Sequence, residues 1–102
     1  MPRHNFEPLY AQYPTIIDQM PDKFSSHEFI LRLAQQHQAL YVEALHAYRN
    51  TIHRGKAAPF LIVHRVLSTH LLAHPKLVRR LEDVDSVDIW GQSNTCAAWA
   101  KV

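Results

Sequence analysis

The stretch FSSHEF, residues 24–29, narrows the possible folds of this chain more than any other. Ser25, followed three residues later by Glu28, matches a capping box, in which each side chain bonds a backbone amide left free by the first helical turn. Phe24 and Phe29 occupy the two positions of a hydrophobic staple around that cap. The stretch therefore predicts that a helix begins here.

The residues that follow continue the helical pattern. Residues 26–49 contain neither glycine nor proline, and their apolar side chains recur at helical spacing. The polar run QQHQ at 35–38 divides this pattern. The periodicity permits either one long helix or two helices broken around 35–38.

A further helix is predicted from PFLIVHRVLSTHLLAHP, residues 59–75, after a basic loop at 49–59. Pro59 suits the first turn of a helix, and Pro75 ends it. Four residues lie away from the centre of its wide apolar stripe: Arg65, Ser68, Thr69 and Leu72. That stripe consists of Phe60, Ile62, Val63, Val66, Leu67 and Leu71.

The C-terminal sequence predicts a β-hairpin. KLVRRLEDV and NTCAAWAKV are short mixed segments separated by turn-forming residues, and we interpret them as strands at 77–84 and 95–101. A short helix over 76–82 is the alternative for the first of them. Trp99, on the second strand, is expected to close the core, and Trp90, in the loop, is either a core plug or an exposed contact.

The N-terminal residues are expected to dock on that core. Four prolines within residues 1–23 exclude one regular element, although a short helix over 14–20 is compatible with Pro14 near its start. A chain of 102 residues can bury one small core. We therefore predict a single domain over 1–102, with a docking segment at 1–23, a helical core at 25–74 and a hairpin at 77–102. The predicted fold class is mainly α with a small C-terminal β-hairpin.

Few features of the sequence point to catalysis, a cofactor or a membrane. His70 and His74 share a helical face and could bind a metal together, but the sequence places no further ligand beside them. Cys96 cannot form an internal disulfide and fits a small buried residue better than a nucleophile. No apolar run approaches the roughly 18–20 residues of a membrane span. We predict a cytoplasmic, non-enzymatic protein without cofactor, metal, membrane partner or small-molecule substrate.

The charges are segregated along the chain. Between Glu43 and Glu82 there are seven basic residues and no acidic one, whereas the rest of the chain has four bases and all nine acids. Such segregation creates a local positive field that the net charge of +2 conceals. Five of the eight histidines lie in the same stretch, where acidification is expected to raise the positive charge further.

Helices followed by a C-terminal hairpin resemble a known layout. FSSHEFI, QALYVEALHAYR, PFLIVHRVLSTHL and SVDIWGQSNTCAAWAK together resemble small uncharacterised bacterial proteins of winged-helix type, over roughly residues 20–101. The resemblance implies a three-helix, helix-turn-helix-like core with the terminal hairpin as its wing. By analogy of fold, it also implies DNA binding.

Our leading hypothesis from the sequence is therefore duplex DNA binding through the basic 49–80 surface. Arg65, Ser68 and Thr69 are expected to face base edges in the major groove. Phosphate contacts are expected from Arg54, Lys56, Arg79 and Arg80, and Arg49 is a further predicted nucleic-acid-binding residue.

The alternative is a module for protein–protein interaction or self-association on the same scaffold without DNA binding. Its motivation is the acidic stretch at 82–88, which contains Glu82, Asp83, Asp85 and Asp88. Four carboxylates would repel phosphates, but they could pair with the basic 44–81 stretch of another copy or with a charged partner protein.

Overall fold

The computed structural model describes residues 4–89 and 91–102. Its helices are α1 (Glu7–Tyr10), α2 (Tyr13–Gln19), α3 (Ser26–Gln36), α4 (Gln38–Ala47) and α5 (Pro59–His70), and a 3-10 turn (Leu71–Ala73) follows α5. Its strands are β1 (Lys23–Ser25), β2 (Ile52–His53), β3 (Lys56–Ala57), β4 (Val78–Arg80), β5 (Val84–Val87), β6 (Ser93–Cys96) and β7 (Ala98–Lys101).

The predicted capping box is confirmed at the start of α3. The Glu28 amide donates to Ser25 Oγ at 3.2 Å, and the Ser25 amide donates to Glu28 Oε1 at 3.1 Å. The rings of Phe24 and Phe29 stack with their centroids 6.1 Å apart. Both backbone amides are satisfied at a helix start that packs directly on the core.

Residues 26–49 form two helices, which decides between the alternatives left open by the periodicity. The break is at His37, whose backbone (φ −131°, ψ 56°) is not helical. His37 both ends α3 and begins α4, because its amide bonds the carbonyl of Leu33 and its carbonyl accepts from the amide of Tyr41. The interruption turns α4 so that Tyr41 and Ala44 are buried.

The C-terminal hairpin is confirmed, and the alternative helix over 76–82 is not formed. β4 pairs with β7 and β5 pairs with β6, both antiparallel, so the two strands of the hairpin each run in two parts. Between the two parts, the first strand has three residues (81–83) where the second strand has two (97–98). The extra residue forms a β-bulge. We call residues 84–96, beyond the bulge, the distal hairpin.

The sheet is larger than the sequence analysis predicted. β1 pairs with β7, which gives a three-stranded sheet in the order β1-β7-β4, with Phe24 opposite Trp99. β2 and β3 form a further small ribbon inside the predicted basic loop. The fold is therefore a mixture of helices and small antiparallel sheets, and the expectation of a mainly α fold with a single hairpin understated its strands.

The core joins the N-terminal segment, the helices and the sheet. Six apolar residues of the segment are buried: Phe6, Leu9, Tyr13, Ile16, Ile17 and Met20. The predicted short helix is present as α2, and the hydroxyl of Tyr13 donates to the carbonyl of Leu67 at 2.6 Å. This bond links the segment to the buried face of α5.

Trp99 closes the core as predicted. Its side chain is 2% exposed, and its indole nitrogen donates to Ser26 Oγ at 2.8 Å. A buried indole N–H needs such a partner, and the first residue of α3 provides it. The expectation for Trp90 lies outside the described residues. None of the described helices has the length and apolar character that crossing a membrane requires.

Candidate nucleic-acid interface

The structure distributes the predicted nucleic-acid-binding residues over three places. The first lies between α4 and α5, the second is the side of α5 turned away from the core, and the third is the edge strand β4. The first place holds Arg49, Arg54 and Lys56. The second holds Arg65, Ser68 and Thr69, and the third holds Arg79 and Arg80. The first place adjoins the start of α5, which is about 18 Å long, whereas β4 contacts the 3-10 turn after its end and Arg80 lines a cleft alongside it.

The first place is a tight β-hairpin rather than the loop that the sequence suggested. Ile52 pairs with Ala57 and His53 with Lys56, so that Arg54 and Gly55 alone form the turn. Residues 52–57 are all exposed, and we call them the basic finger. Below the ladder, the amide of Ala58 donates to the carbonyl of Thr51 at 2.9 Å, which closes the base of the finger.

The second place is the free face of α5. Val63, Leu67 and Leu71 are fully buried on the core side, whereas Arg65 and Thr69 are exposed on the other. Leu72, just after α5, extends this face with an apolar side chain that is 54% exposed. The helix therefore exposes the long polar side chain of Arg65 and the short one of Thr69, and the apolar side chain of Leu72 follows at its end.

Ser68 differs from its two predicted neighbours. It is half-buried, and its hydroxyl lies 2.7 Å from the hydroxyl of Ser26, which also accepts the Trp99 indole N–H. Ser68 therefore holds α5 against α3 and the sheet. Arg65 and Thr69 are the predicted base-reading side chains that remain exposed.

A cleft of about 320 Å³ separates the free face of α5 from the C-terminal hairpin. Arg65 and Thr69 line it on the α5 side, and Arg80 and Asp83 line it on the hairpin side. Arg80 and Asp83 form a 2.9 Å ion pair, with both side chains half exposed. One predicted phosphate contact is thus partly neutralised, and a carboxylate lies across the cleft from Arg65.

The acidic residues are spread along the hairpin rather than gathered in its loop. Glu82 and Asp83 lie at the bulge, Asp85 lies on β5, and Asp88 is in the turn, where its carboxylate accepts the amide of Gln92 at 3.0 Å. The hydroxyl of Thr95 donates to Asp85 at 3.3 Å. The distal hairpin is thus an acidic ribbon, in contrast to the basic finger.

The histidines of the basic stretch do not behave as one titrating group. Burial lowers the pKa of His64 to about 4, and its Nε2 lies 2.5 Å from the hydroxyl of Tyr41. Burial also lowers the pKa of His70, whose ring stacks on Tyr10 with the centroids 3.4 Å apart. The expectation that all five histidines add charge on mild acidification is therefore wrong for His64, which is neutral at pH 6.

The His70–His74 pair is part of an aromatic cluster. The two rings meet edge to face with centroids 5.3 Å apart, and His74 also stacks against Tyr13. In the parts of the chain that the structure describes, no three His, Cys, Asp or Glu side chains are grouped so as to hold a metal. The ring contacts of the pair join Tyr10 of α1 and Tyr13 of α2 to the end of α5.

Two important features escaped the sequence analysis. The basic finger was missed because its turn is Arg-Gly, whereas the usual signal for such a turn is Asn-Gly or Asp-Gly. The Ser26 hydroxyl was missed because nothing local marks it, although the need of a buried Trp99 for an acceptor gave a reason to look for one.

Comparison of the chain with protein-family models, with curated proteins and with solved structures finds no match.

Proposed function

We propose that this chain is a cytoplasmic, non-enzymatic winged-helix domain that binds duplex DNA through the basic 49–80 surface. The observation that carries the proposal is the free face of α5. It exposes Arg65 and Thr69 on the helix that directly follows the basic finger.

The order of the elements supports the winged-helix part of the proposal. Helices α3, α4 and α5 precede β4, the distal hairpin and β7, and this is the layout that the sequence resemblance implies. β7 lies between β1 and β4 in the sheet, so the distal hairpin extends from two strands that are fixed to the core. In a helix-turn-helix, the second helix enters the major groove. Here α5 takes that role.

The distribution of charge supports DNA as the partner. Arg54, Lys56 and Arg65 are exposed, and none of the three lies within ion-pair distance of a carboxylate among the described residues. Each phosphate that such a side chain neutralises contributes about 0.9 to the slope of log affinity against log salt. We assign phosphate contacts to the finger, Arg49 and Arg79, and base contacts to Arg65 and Thr69.

A second candidate function, protein–protein interaction or self-association, is favoured by the acidic side of the cleft. Asp83 lies where DNA contacting Arg65 would approach, and Val84 and Val87 of β5 are 40% and 57% exposed. An acidic ribbon with exposed valines is suited to a basic protein surface, including the basic finger of a second copy.

The experiment that tests the proposal is a titration against mixed-sequence duplex DNA at low salt. We expect binding that weakens steeply as salt is added. The absence of binding at high micromolar protein would refute the proposal.

Reversal of Arg54, Lys56 and Arg65 to Glu separates the two candidate functions. Loss of DNA retention with unchanged association favours DNA binding, and loss of self-association alone favours the interaction module. Lys23→Glu is the matched control, because Lys23 is an exposed cation on β1, outside the basic stretch.

A further inference from the structure

The basic finger is built to hold one arginine at its tip. Arg54 and Gly55 both have positive φ angles, 52° and 80°, which are the backbone angles of a two-residue type I′ turn. Gly55 adopts this conformation freely, whereas a residue with a side chain rarely does. Asparagine or aspartate would be the usual residue at position 54.

The arginine at this strained position is not explained by contacts within the protein. Among the described residues, Arg54 has no hydrogen-bond or ion-pair partner, and every residue of the finger is exposed. Strained backbone positions concentrate at functional sites, where the side chain on display matters more than local stability. The observation thus points to a partner outside the chain for the guanidinium.

The reach of the finger can be compared with the spacing of the DNA grooves. Arg65 lies six residues along α5 from Pro59, or about 9 Å, and the five residues from Arg54 to Pro59 span at most about 17 Å when extended. The tip is therefore at most about 26 Å from Arg65. Half a turn of duplex, which separates a major groove from the next minor groove, is about 17 Å.

The width of the grooves decides which part of the finger enters. Two paired strands are about 4.8 Å apart before side chains are added, and the minor groove is about 6 Å wide. This spacing of about 4.8 Å separates the strand axes only, and the atoms and side chains on both strands make the whole ribbon wider than the minor groove, whereas a single side chain at its tip fits. Arginine is a residue that narrow A·T-rich minor grooves attract, because their negative potential is enhanced.

We propose that Arg54 inserts into the minor groove next to the major groove contacted by α5, and that it favours narrow A·T-rich sequence there. This inference rests on the proposed DNA binding and changes the role of Arg54 from a phosphate contact to a groove contact. His53 and Lys56, opposite each other on the ladder, then face the phosphates on the two sides of that groove.

The test uses three duplexes of equal length that differ in the segment beside the α5 site: A·T pairs, G·C pairs, and inosine·C pairs. The N2 amino group of guanine distinguishes a G·C pair from an A·T pair in the minor groove. Inosine lacks this group but keeps the major-groove acceptors of guanine. We expect the A·T and inosine duplexes to bind about equally, and about fivefold or more tightly than the G·C duplex. An inosine duplex that binds like the G·C duplex would overturn the inference.

Arg54→Asn is the variant to compare, because asparagine suits the left-handed turn and removes only the guanidinium. We expect it to melt no lower than the wild-type chain and to lose the preference among the three duplexes. Lys23→Gln, which removes one exposed cation elsewhere, should keep the preference. Retention of the preference by Arg54→Asn would overturn the inference.

The two proposals fail in distinguishable ways. If the wild-type chain binds all three duplexes equally and Arg65→Glu abolishes that binding, the proposed function stands and the role of Arg54 is refuted. If none of the duplexes is bound at low salt, both are refuted.

Discussion

The basic finger and the distal hairpin are both two-stranded antiparallel ribbons, but they differ in charge, in exposure and in attachment. The finger lies between α4 and α5 and carries His53, Arg54 and Lys56. Its two strands are joined by a two-residue turn. The distal hairpin carries Asp85 and Asp88 and continues into β4 and β7, which belong to the central sheet. Under the proposed function this difference corresponds to a division of roles, in which the finger contacts DNA and the hairpin contributes to folding.

The largest expected effect concerns this difference in attachment. Deletion of residues 95–102 removes β7, the middle strand of the central sheet, together with Trp99. We expect cooperative unfolding to disappear, because β1 and β4 both lose their pairing partner. The measurement is thermal unfolding followed by circular dichroism.

Replacement of the basic finger, residues 52–57, by a short flexible loop is the matched control for that deletion. Because all six residues are exposed, the melting temperature should stay close to that of the full chain. If the deletion of 95–102 still melts sharply near the wild-type midpoint, the hairpin is accessory to folding and the winged-helix proposal fails with it.

Trp99 tests the attachment of the hairpin at a single residue. Trp99→Ala should lower the free energy of unfolding by about 3–5 kcal/mol, as aromatic truncations in cores do. Trp99→Phe should cost less, because it retains a packed ring while it removes the donor to Ser26 Oγ. Chemical denaturation measures both changes, and a loss below about 1 kcal/mol for Trp99→Ala would contradict the core role. Trp90→Ala, outside the described residues, is predicted to be far more tolerant.

His64, on the helix between the two ribbons, predicts a pH dependence of stability. Its pKa is lowered from 6.5 to about 4 by burial, so the folded state favours the neutral ring. The contribution of His64 to the free energy of unfolding is fully present above pH 6.5. It is lost as the pH falls from 6.5 towards 4. The free energy of unfolding should fall by about 2 kcal/mol, a value that already allows for solvent screening of the partly exposed ring.

The measurement for His64 is chemical denaturation across that pH range. The His64→Gln variant should lose less stability than the wild-type chain over the same interval. Equal losses in the two proteins would place the titrating group elsewhere.

The smallest effect tests the strain at the finger tip. Arg54→Asn should raise the free energy of unfolding by roughly 0.5–1 kcal/mol, because asparagine tolerates a positive φ better than arginine. Arg49→Asn, just after α4, should bring no such gain, because it removes the guanidinium that donates to the His46 carbonyl at 2.9 Å. A stability decrease for Arg54→Asn would mean that the arginine is held by interactions within the protein.

The parts of the fold that local sequence determines were predictable. The Ser25–Glu28 capping box and the helix opened by Pro59 depend on neighbouring residues, and both are present. The pairing of β1 with β7 joins residues more than 70 positions apart, and three residues, Lys23–Ser25, give no periodic signal. Long-range pairing of so short a strand is set by the sheet that it joins.

The candidate interface was predictable in residue identity but not in arrangement. The absence of acids between Glu43 and Glu82 marked the basic residues. It did not show that the Arg80 charge is paired with Asp83 or that the Ser68 hydroxyl lies against Ser26. The first contact depends on the bulge after β4 and the second on how α5 packs against α3, and helical periodicity specifies neither.

The most direct test of the division of roles compares DNA affinity for matched changes in the two ribbons. Arg54→Gln with Lys56→Gln removes two charges from the finger, and Asp85→Asn with Asp88→Asn removes two charges from the distal hairpin. For the finger variant we expect at least a tenfold loss of affinity for duplex DNA at low salt and a salt slope shallower by about 1.8. For the hairpin variant we expect an affinity close to wild type. Unchanged binding by the finger variant, or a larger effect from the hairpin variant, would contradict the account.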